Sequence, residues 1–293
     1  MAGQPLLGVI GGSGVYDIDG LDDVRWQTID TPFGAPSDQL MFARLGDQPL
    51  VFLPRHGRGH VQTPSTVNYR ANIFALKLAG VTDIVSLSAV GSLREHLPPG
   101  TFVLVNQYID RTFAREKTFF GPGLVGHVSM AHPVCERLVD ALEEAAKELA
   151  LPYQRGGTYI VMEGPQFSTK AESELYRSWG CAVVGMTNMP EAKLAREAEM
   201  AYAAIAMVTD FDCWHPTHDA VTADAVVKVV AANSAKARAL VKAVAPKVAR
   251  LPGTSPCYTA LDGAIMTAPS KRDAGLIAKL GPIVARWQTT QGH

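Results

Sequence analysis

The stretch AIAMVTDFDCW, Ala204 to Trp214, is an apolar run that closes on two aspartates one residue apart. The run does not alternate with polar residues, which marks a strand covered on both faces of its sheet rather than on one. A strand of that kind requires helices above and below. The aspartates fall where such a strand would emerge, and two like charges there repel unless they face water or share a proton. In the second case one carboxyl has a raised pKa, so Asp210 and Asp212 read as a pair placed to bind something.

Further β-rich runs bounded by turn residues lie on either side of this one: LLGVI (6–10), QLMFARL (39–45), PLVFLP (49–54), TDIVSLSA (82–89), TFVLVNQYI (101–109), GTYIVM (157–162) and CAVVGM (181–186). Between them come helical patterns. Residues 66–79 set Val67, Ala71, Phe74 and Leu78 at helical spacing, 132–150 repeats the pattern, and Thr169 with Glu172 forms a capping box for a helix near 169–179. Pro190 sits in the first turn of a helix expected to reach Ala203, a fourth is expected over 223–247, and one amphipathic helix over 272–287. Strands alternating with helices give the α/β class, a central mixed sheet flanked by helices. No linker interrupts the chain before Leu251, so residues 1–251 are expected to form one domain and 252–293 a helical extension of it. Sheets of this kind bind ligands at the carboxyl ends of their strands.

Composition narrows the function. The 293 residues are 47% hydrophobic, enough for a full core, and 27 Lys and Arg balance 28 Asp and Glu. Nucleic acid and anionic membranes select a basic excess, which is missing here. The four cysteines, Cys135, Cys181, Cys213 and Cys257, show no metal-ligand spacing and read as reduced thiols. Without a signal-peptide pattern or an apolar run of about 18 residues, the expected location is the cytoplasm.

Four strand ends offer anion donors. GVIGGSGVYD (8–17) places a glycine-rich turn and Ser13 after the first strand, a backbone nest for an anion. It lacks the third glycine of a dinucleotide fingerprint, since Asp17 stands there, and the Gly-Lys of a P-loop. PRHGRGH (54–60) supplies Arg55, whose planar fork matches a phosphate, and His56. SLSAVGS (86–92) offers Ser88 and the N–H of Ala89, and GMTNMPE (185–191) offers Thr187. With no carboxylate expected among them, these ends suggest one phosphate held by the protein alone.

Taken together, GVIGGSG, PRHGRGH, SAVGSLRE, EGPQFSTKAE, GMTNMPEAKLARE and TDFDCW, in this order and spacing, resemble the trimeric purine nucleoside phosphorylases. The resemblance implies a single-domain phosphorylase/hydrolase-like fold and a homotrimer. It implies phosphorolysis of an N-glycosidic bond, with inorganic phosphate as co-substrate and neither cofactor nor metal. Phosphate would be held by Ser13, Arg55, His56, Ser88, Ala89 and Thr187. Phe167 would pack on the purine, Met186 beside the sugar, and Asp210 and Asp212 against the base. Val226, Val227 and His127 would line the 5′ end, His127 from the adjacent subunit.

Two positions set the base. Members that use 6-oxopurines carry Glu where Ser168 stands and Asn where Asp210 stands, so both point here to a 6-aminopurine. Asp210 is then expected to be the acid that protonates the departing base, with Asp212 supporting it. Apolar residues at the 5′ end favour a methylthio group over a hydroxyl, a preference worth only about 1–3 kcal/mol. The chain departs from the pattern of animal members at Gly185, where they carry Asn, and at Ser13 and Ser88, which replace threonines. Ala223 replaces a larger apolar residue near the 5′ site.

Overall fold

The computed structural model describes residues 5–12, 14–215 and 223–290, except for the side chains at 223–228, 230 and 232. In chain order the first half contains β1 (Leu7–Gly11), β2 (Leu21–Gln27), β3 (Leu40–Leu45), β4 (Gln48–Pro54), α1 (Tyr69–Leu78), β5 (Asp83–Ser92), β6 (Phe102–Leu104), β7 (Gln107–Asp110) and α2 (Glu136–Glu148). The second half contains β8 (Tyr153–Arg155), β9 (Thr158–Val161), α3 (Lys170–Ser178), β10 (Val183–Gly185), α4 (Asn188–Glu197), β11 (Ala201–Asp210), α5 (Ala223–Val248), α6 (Ala274–Leu280) and α7 (Ala285–Thr290). The strands join in one 11-stranded mixed sheet, the α/β architecture expected from the sequence.

The apolar run 204–209 is the last part of β11, and its side chains alternate between two cores. Tyr202, Ala204, Ala206 and Val208 enter one, with Ile73 and Phe74 of α1 and Ala192 and Leu194 of α4. Ala201, Ala203, Ile205 and Met207 enter the other, with Leu138 and Leu142 of α2 and Leu240 and Val244 of α5. Burial on both faces is why this strand needs no polar alternation. From the tail, Leu261, Leu280, Ile283 and Trp287 join the first core.

The sheet forks at β5. Its first residues pair in parallel with β1, from Leu7↔Asp83 to Ile10↔Ser86. Its last two pair with β10, Val184↔Gly91 and Val183↔Ser92, in antiparallel sense. On the other side β11 follows it in parallel along its whole length. Between the end of β1 and the start of β10 the flank of Leu87–Val90 carries no ladder partner among the described residues, which opens the kind of crevice that α/β sheets use for ligands.

Several boundaries differ from expectation. The run 101–109 is two strands: β6 pairs with β11 and β8, and β7 pairs with β9. The chain turns between them at Asn106, whose Oδ1 accepts the Gly157 N–H at 2.9 Å. Strand β2, LDDVRWQ, is largely exposed and has no apolar periodicity to betray it; β8 is only three residues long. Helix α1 begins at Tyr69 because Asn68 caps it, accepting from the Ala71 N–H at 3.1 Å. Helix α4 stops at Glu197 rather than Ala203, since β11 already begins at Ala201. The helix expected over 272–287 is two short ones, broken by a 3-10 turn at Gly281–Ile283 whose second residue is Pro282.

Candidate active site

Arg55 follows β4 directly and reaches into the fork. Its N–H bonds to the Gly11 carbonyl at 3.0 Å, fixing the backbone. The guanidinium is 2% exposed. Nε donates to Glu191 Oε2 at 2.8 Å, Nη2 to Glu191 Oε1 at 3.1 Å and to Ser86 Oγ at 2.6 Å, and Nη1 to the Leu87 carbonyl at 3.0 Å. A guanidinium has five N–H groups, so one on Nη1 has no partner among the described residues. The expectation of donors without a carboxylate is therefore corrected: Glu191 faces Arg55 from α4. Burial pulls the Arg55 pKa down, but the Glu191 carboxylate outweighs it and holds the guanidinium charged. Glu191 also accepts from Ser86 Oγ at 2.6 Å and Tyr202 OH at 2.7 Å, which shares its charge over four donors.

His56 is 8% exposed and stacks on His60 with ring centroids 4.4 Å apart. Its Nδ1 lies 2.9 Å from the Gln62 carbonyl; a carbonyl only accepts, so Nδ1 carries the hydrogen and Nε2 is left with a lone pair in the neutral ring. Burial, and next the Arg55 charge, lower its pKa to about 4. His56 thus offers an acceptor at neutral pH, not a cation. Ser88 is buried and donates to Asn188 Oδ1 at 3.1 Å. Thr187, at the amino end of α4, is buried with no hydrogen-bond partner for Oγ1 among the described residues. Such an orphan is rare without a ligand or water to satisfy it.

The acidic corner is built by an irregularity in β11. Val208 pairs with Val90 and Asp210 with Gly91, so Thr209 is an extra residue on its strand, and a bulge of this kind re-aims the side chains that follow it. Asp210 Oδ2 accepts from Thr209 Oγ1 at 2.6 Å and Oδ1 from the Asp212 N–H at 2.8 Å. Asp212 adopts φ +50°, a conformation that Asp tolerates better than most residues. Asp210 is half-buried; Asp212 is buried, with Oδ2 unpartnered among the described residues. Burial raises both pKa values, and the Asp210 charge adds to the rise at Asp212. Trp214 closes this end, donating Nε1–H to the Ser92 carbonyl at 2.7 Å and standing edge-on to Phe211.

The two corners share β5. A Cβ at Gly91 would lie 3.0 Å from Asp210 Oδ1 and 3.1 Å from Asp212 Cβ, so the aspartates occupy the space that a side chain there would take. Ser168 joins them through its carbonyl, which accepts from Cys213 Sγ at 3.3 Å. Phe167, one residue earlier, is 43% exposed, open to a flat partner. Met186 and Thr187 lie between the corners, at the end of β10.

Two residues that the sequence did not single out hold these segments in place. Arg115 donates from Nη1 to the Met186 and Met189 carbonyls at 2.6 and 2.7 Å, and from Nη2 to the Glu163 carbonyl at 2.6 Å. One side chain thereby ties the segment carrying Met186 and Thr187 to the one leading into Phe167. Glu163 accepts from Ser65 Oγ and, at 2.6 Å, from the Phe113 N–H, anchoring the loop that bears Arg115. Glu163 opens the stretch EGPQFSTKAE without a role of its own being legible there, and the only local sign of Arg115 is a charged residue amid small and aromatic ones.

Arg55, His56, Ser88, Ala89, Thr187, Met186, Asp210 and Asp212 all come to the ends of β4, β5, β10 and β11. His127 is exposed on the loop after β7, its N–H bonded to the Ala264 carbonyl at 2.9 Å, and no described contact ties it to this group. Ser13 lies outside the described residues, as do the side chains of Ala223, Val226 and Val227.

Known proteins resemble this chain in sequence and fold. The profile of the phosphorylase superfamily matches residues 6–246. The S-methyl-5′-thioadenosine phosphorylase of Rhodospirillum rubrum is 64% identical over 285 residues, covering 97% of both chains. That of Cereibacter sphaeroides is 57% identical over 97% of this chain and 98% of its own. Among solved structures, a methylthioadenosine phosphorylase from an antarctic soil metagenomic library superposes with a TM-score of 0.90 at 45% identity, covering 96% of this chain and 99% of that one. A variant of the Schistosoma mansoni adenosine/methylthioadenosine phosphorylase in complex with methylthioadenosine superposes with a TM-score of 0.83 at 38% identity, covering 92% and 99%.

Proposed function

The chain belongs to the phosphorylase superfamily, and from that premise we propose that it cleaves S-methyl-5′-thioadenosine with inorganic phosphate. The products are adenine and 5-methylthioribose 1-phosphate, as in the salvage of purines and methionine; adenosine is a slower substrate. The working form is a cytoplasmic homotrimer needing no cofactor or metal.

The bond between C1′ and N9 breaks with its electron pair going to the base, and a phosphate oxygen bonds to C1′. Charge builds up in two places, positive on the sugar and negative on the purine. Asp210, with its pKa raised by burial, protonates N7 and accepts from the 6-amino group; Asp212 supports it through its N–H, which donates to Asp210 Oδ1 and steadies the carboxylate once the proton has gone. The phosphate lies in the fork beside Arg55, Ser88, the Ala89 N–H and Thr187, with Ser13 closing the nest, and its own charge stabilises the sugar cation. His56 accepts from the protonated oxygen of the phosphate, since Nε2 has a lone pair rather than a hydrogen. Phe167 covers the purine, Met186 the sugar, and Val226, Val227 and a neighbouring subunit's His127 the methylthio end. Ser168 and Ala223 tune the choice at either end.

The observation that carries the aminopurine reading is Asp210 at the bulged end of β11, held by Thr209 and the Asp212 N–H in the shared crevice. The test is product release from methylthioadenosine, methylthioinosine and adenosine, each with and without phosphate. Adenine released only with phosphate, and fastest from methylthioadenosine, is the expected result. A preference for methylthioinosine would remove Asp210 from its role, and release without phosphate would make the protein a hydrolase.

A further inference from the structure

Tyr159 on β9 is fully buried, and its hydroxyl has no hydrogen-bond partner among the described residues. It is aimed at the end of β10. A Cβ at Gly185 would fall 2.0 Å from Tyr159 Oη and 2.7 Å from Cζ, a distance no two heavy atoms tolerate unbonded. Gly185 is thus a glycine because the phenol occupies its side-chain space, which explains the departure from Asn at this position. Two residues on is Thr187, whose Oγ1 is, with Tyr108 Oη, another buried hydroxyl of this corner without a partner among the described residues. Burial raises the Tyr159 pKa, and the neighbouring Ser88 and Thr187 hydroxyls act against that rise, so the phenol keeps its proton and can donate it.

We propose that Tyr159 is a positioning residue of the phosphate site: the two hydroxyls are not bonded to each other in this structure, and with the anion bound Tyr159 donates its hydrogen to Thr187 Oγ1 so that Thr187 turns its own hydrogen toward the anion. The proposal rests on the reading of this corner as a phosphate site. A phenol is the better donor of the two hydroxyls, and a donor chain that ends on an anion strengthens along its length. Ser88 cannot take Thr187's part, because its one hydrogen is bonded to Asn188. The arrangement also makes the pair Tyr159 and Gly185 a unit: any side chain at 185 displaces the phenol, and only a shorter residue at 159 makes room for one.

The experiment is steady-state kinetics on the intact protein, with phosphate and methylthioadenosine varied separately, beside thermal unfolding. Tyr159→Phe removes one oxygen and no packing. The expected result is a KM for phosphate raised about three- to tenfold, the usual weight of one hydrogen bond, with the KM for nucleoside unchanged and the melting temperature held. A phosphate KM that does not move overturns the proposal, as does a parallel rise in both KM values. Gly185→Ala should lower the melting temperature and raise the phosphate KM. Adding Tyr159→Leu to it should restore the melting temperature but not the phosphate KM; recovery of both would show a packing role alone. If the unaltered protein releases base without phosphate, the reading of the site fails, an outcome visible before any variant is made.

Discussion

Arg55 and Glu191 meet in a bidentate pair, Nε to Oε2 at 2.8 Å and Nη2 to Oε1 at 3.1 Å, with both side chains 2% exposed. They are 136 positions apart in the chain. An anion entering the fork therefore meets a cation that already has a counter-charge. If the fork holds phosphate as proposed, the anion gains one guanidinium N–H and a field partly cancelled, which favours release of a phosphorylated product over its retention.

Breaking that pair from one side leaves a buried charge without compensation. Glu191→Gln should cost about 3–5 kcal/mol of stability, read from chemical denaturation, and should also loosen Arg55. Replacing both with Met should recover much of the stability while abolishing activity. If Glu191→Gln were as stable as the parent, the pair would not hold the fork together.

Gly91→Ala places a methyl group against both aspartates. Overpacking of this sort costs about 1–3 kcal/mol, and here the atoms that must give way belong to the aspartates proposed to act on the base. Activity on methylthioadenosine should fall by more than tenfold, the lower end of what losing an acid costs. A variant as active as the parent would show that Asp210 can move without consequence.

Asp210→Asn keeps the shape and removes the acid. Turnover of aminopurine nucleosides should fall by more than tenfold, and the relative rate on methylthioinosine should rise, since the amide can donate to a 6-oxo group. Unchanged turnover of methylthioadenosine would take Asp210 out of the acid role.

Arg115→Lys should behave much like Arg115→Ala. An ammonium cannot span the carbonyls of Glu163, Met186 and Met189 as a planar fork does. Both should raise the KM for phosphate and nucleoside together, because one clamp holds both corners. Rescue by Lys would mean that only the charge matters.

His56 has a direct pH signature. Its pKa is lowered from 6.5 to about 4 in the fold, so between those values the unfolded chain binds a proton that the native state refuses. Stability therefore falls as pH drops through that window, by up to about 3 kcal/mol from this residue alone. Histidine NMR should find the His56 imidazole still neutral at pH 5, a resonance that disappears in His56→Gln. Titration of every histidine near 6.5 would contradict the buried geometry.

Much of this architecture can be read in the chain before it folds. Runs such as AIAMVT and LLGVI announce buried strands because both their faces must be apolar. Strand β2 is silent because it is an exposed edge, where pairing with β3 substitutes for burial. The break in the last helix was visible as Gly281-Pro282, a stronger signal than the amphipathic period across it. Donor-bearing strand ends mark the site for the same reason that the sheet does: ligands meet strands at their carboxyl ends. Glu191, Arg115 and Tyr159 could not be found this way. Each acts on a partner tens of positions away, and its local surroundings look like ordinary helix, loop and strand.

Strand β5 gives the enzyme a built-in ruler. In the proposed reading Ser88 and Ala89 stand at the anion end and Gly91, paired with Asp210, at the base end, so the separation is set by a few peptide units at about 3.3 Å each. Neither a hinge nor a loop enters that measure. If the site is as proposed, a change of 5′ substituent leaves the gauge between phosphate and purine fixed, so changes of taste in such a protein can leave the chemistry untouched.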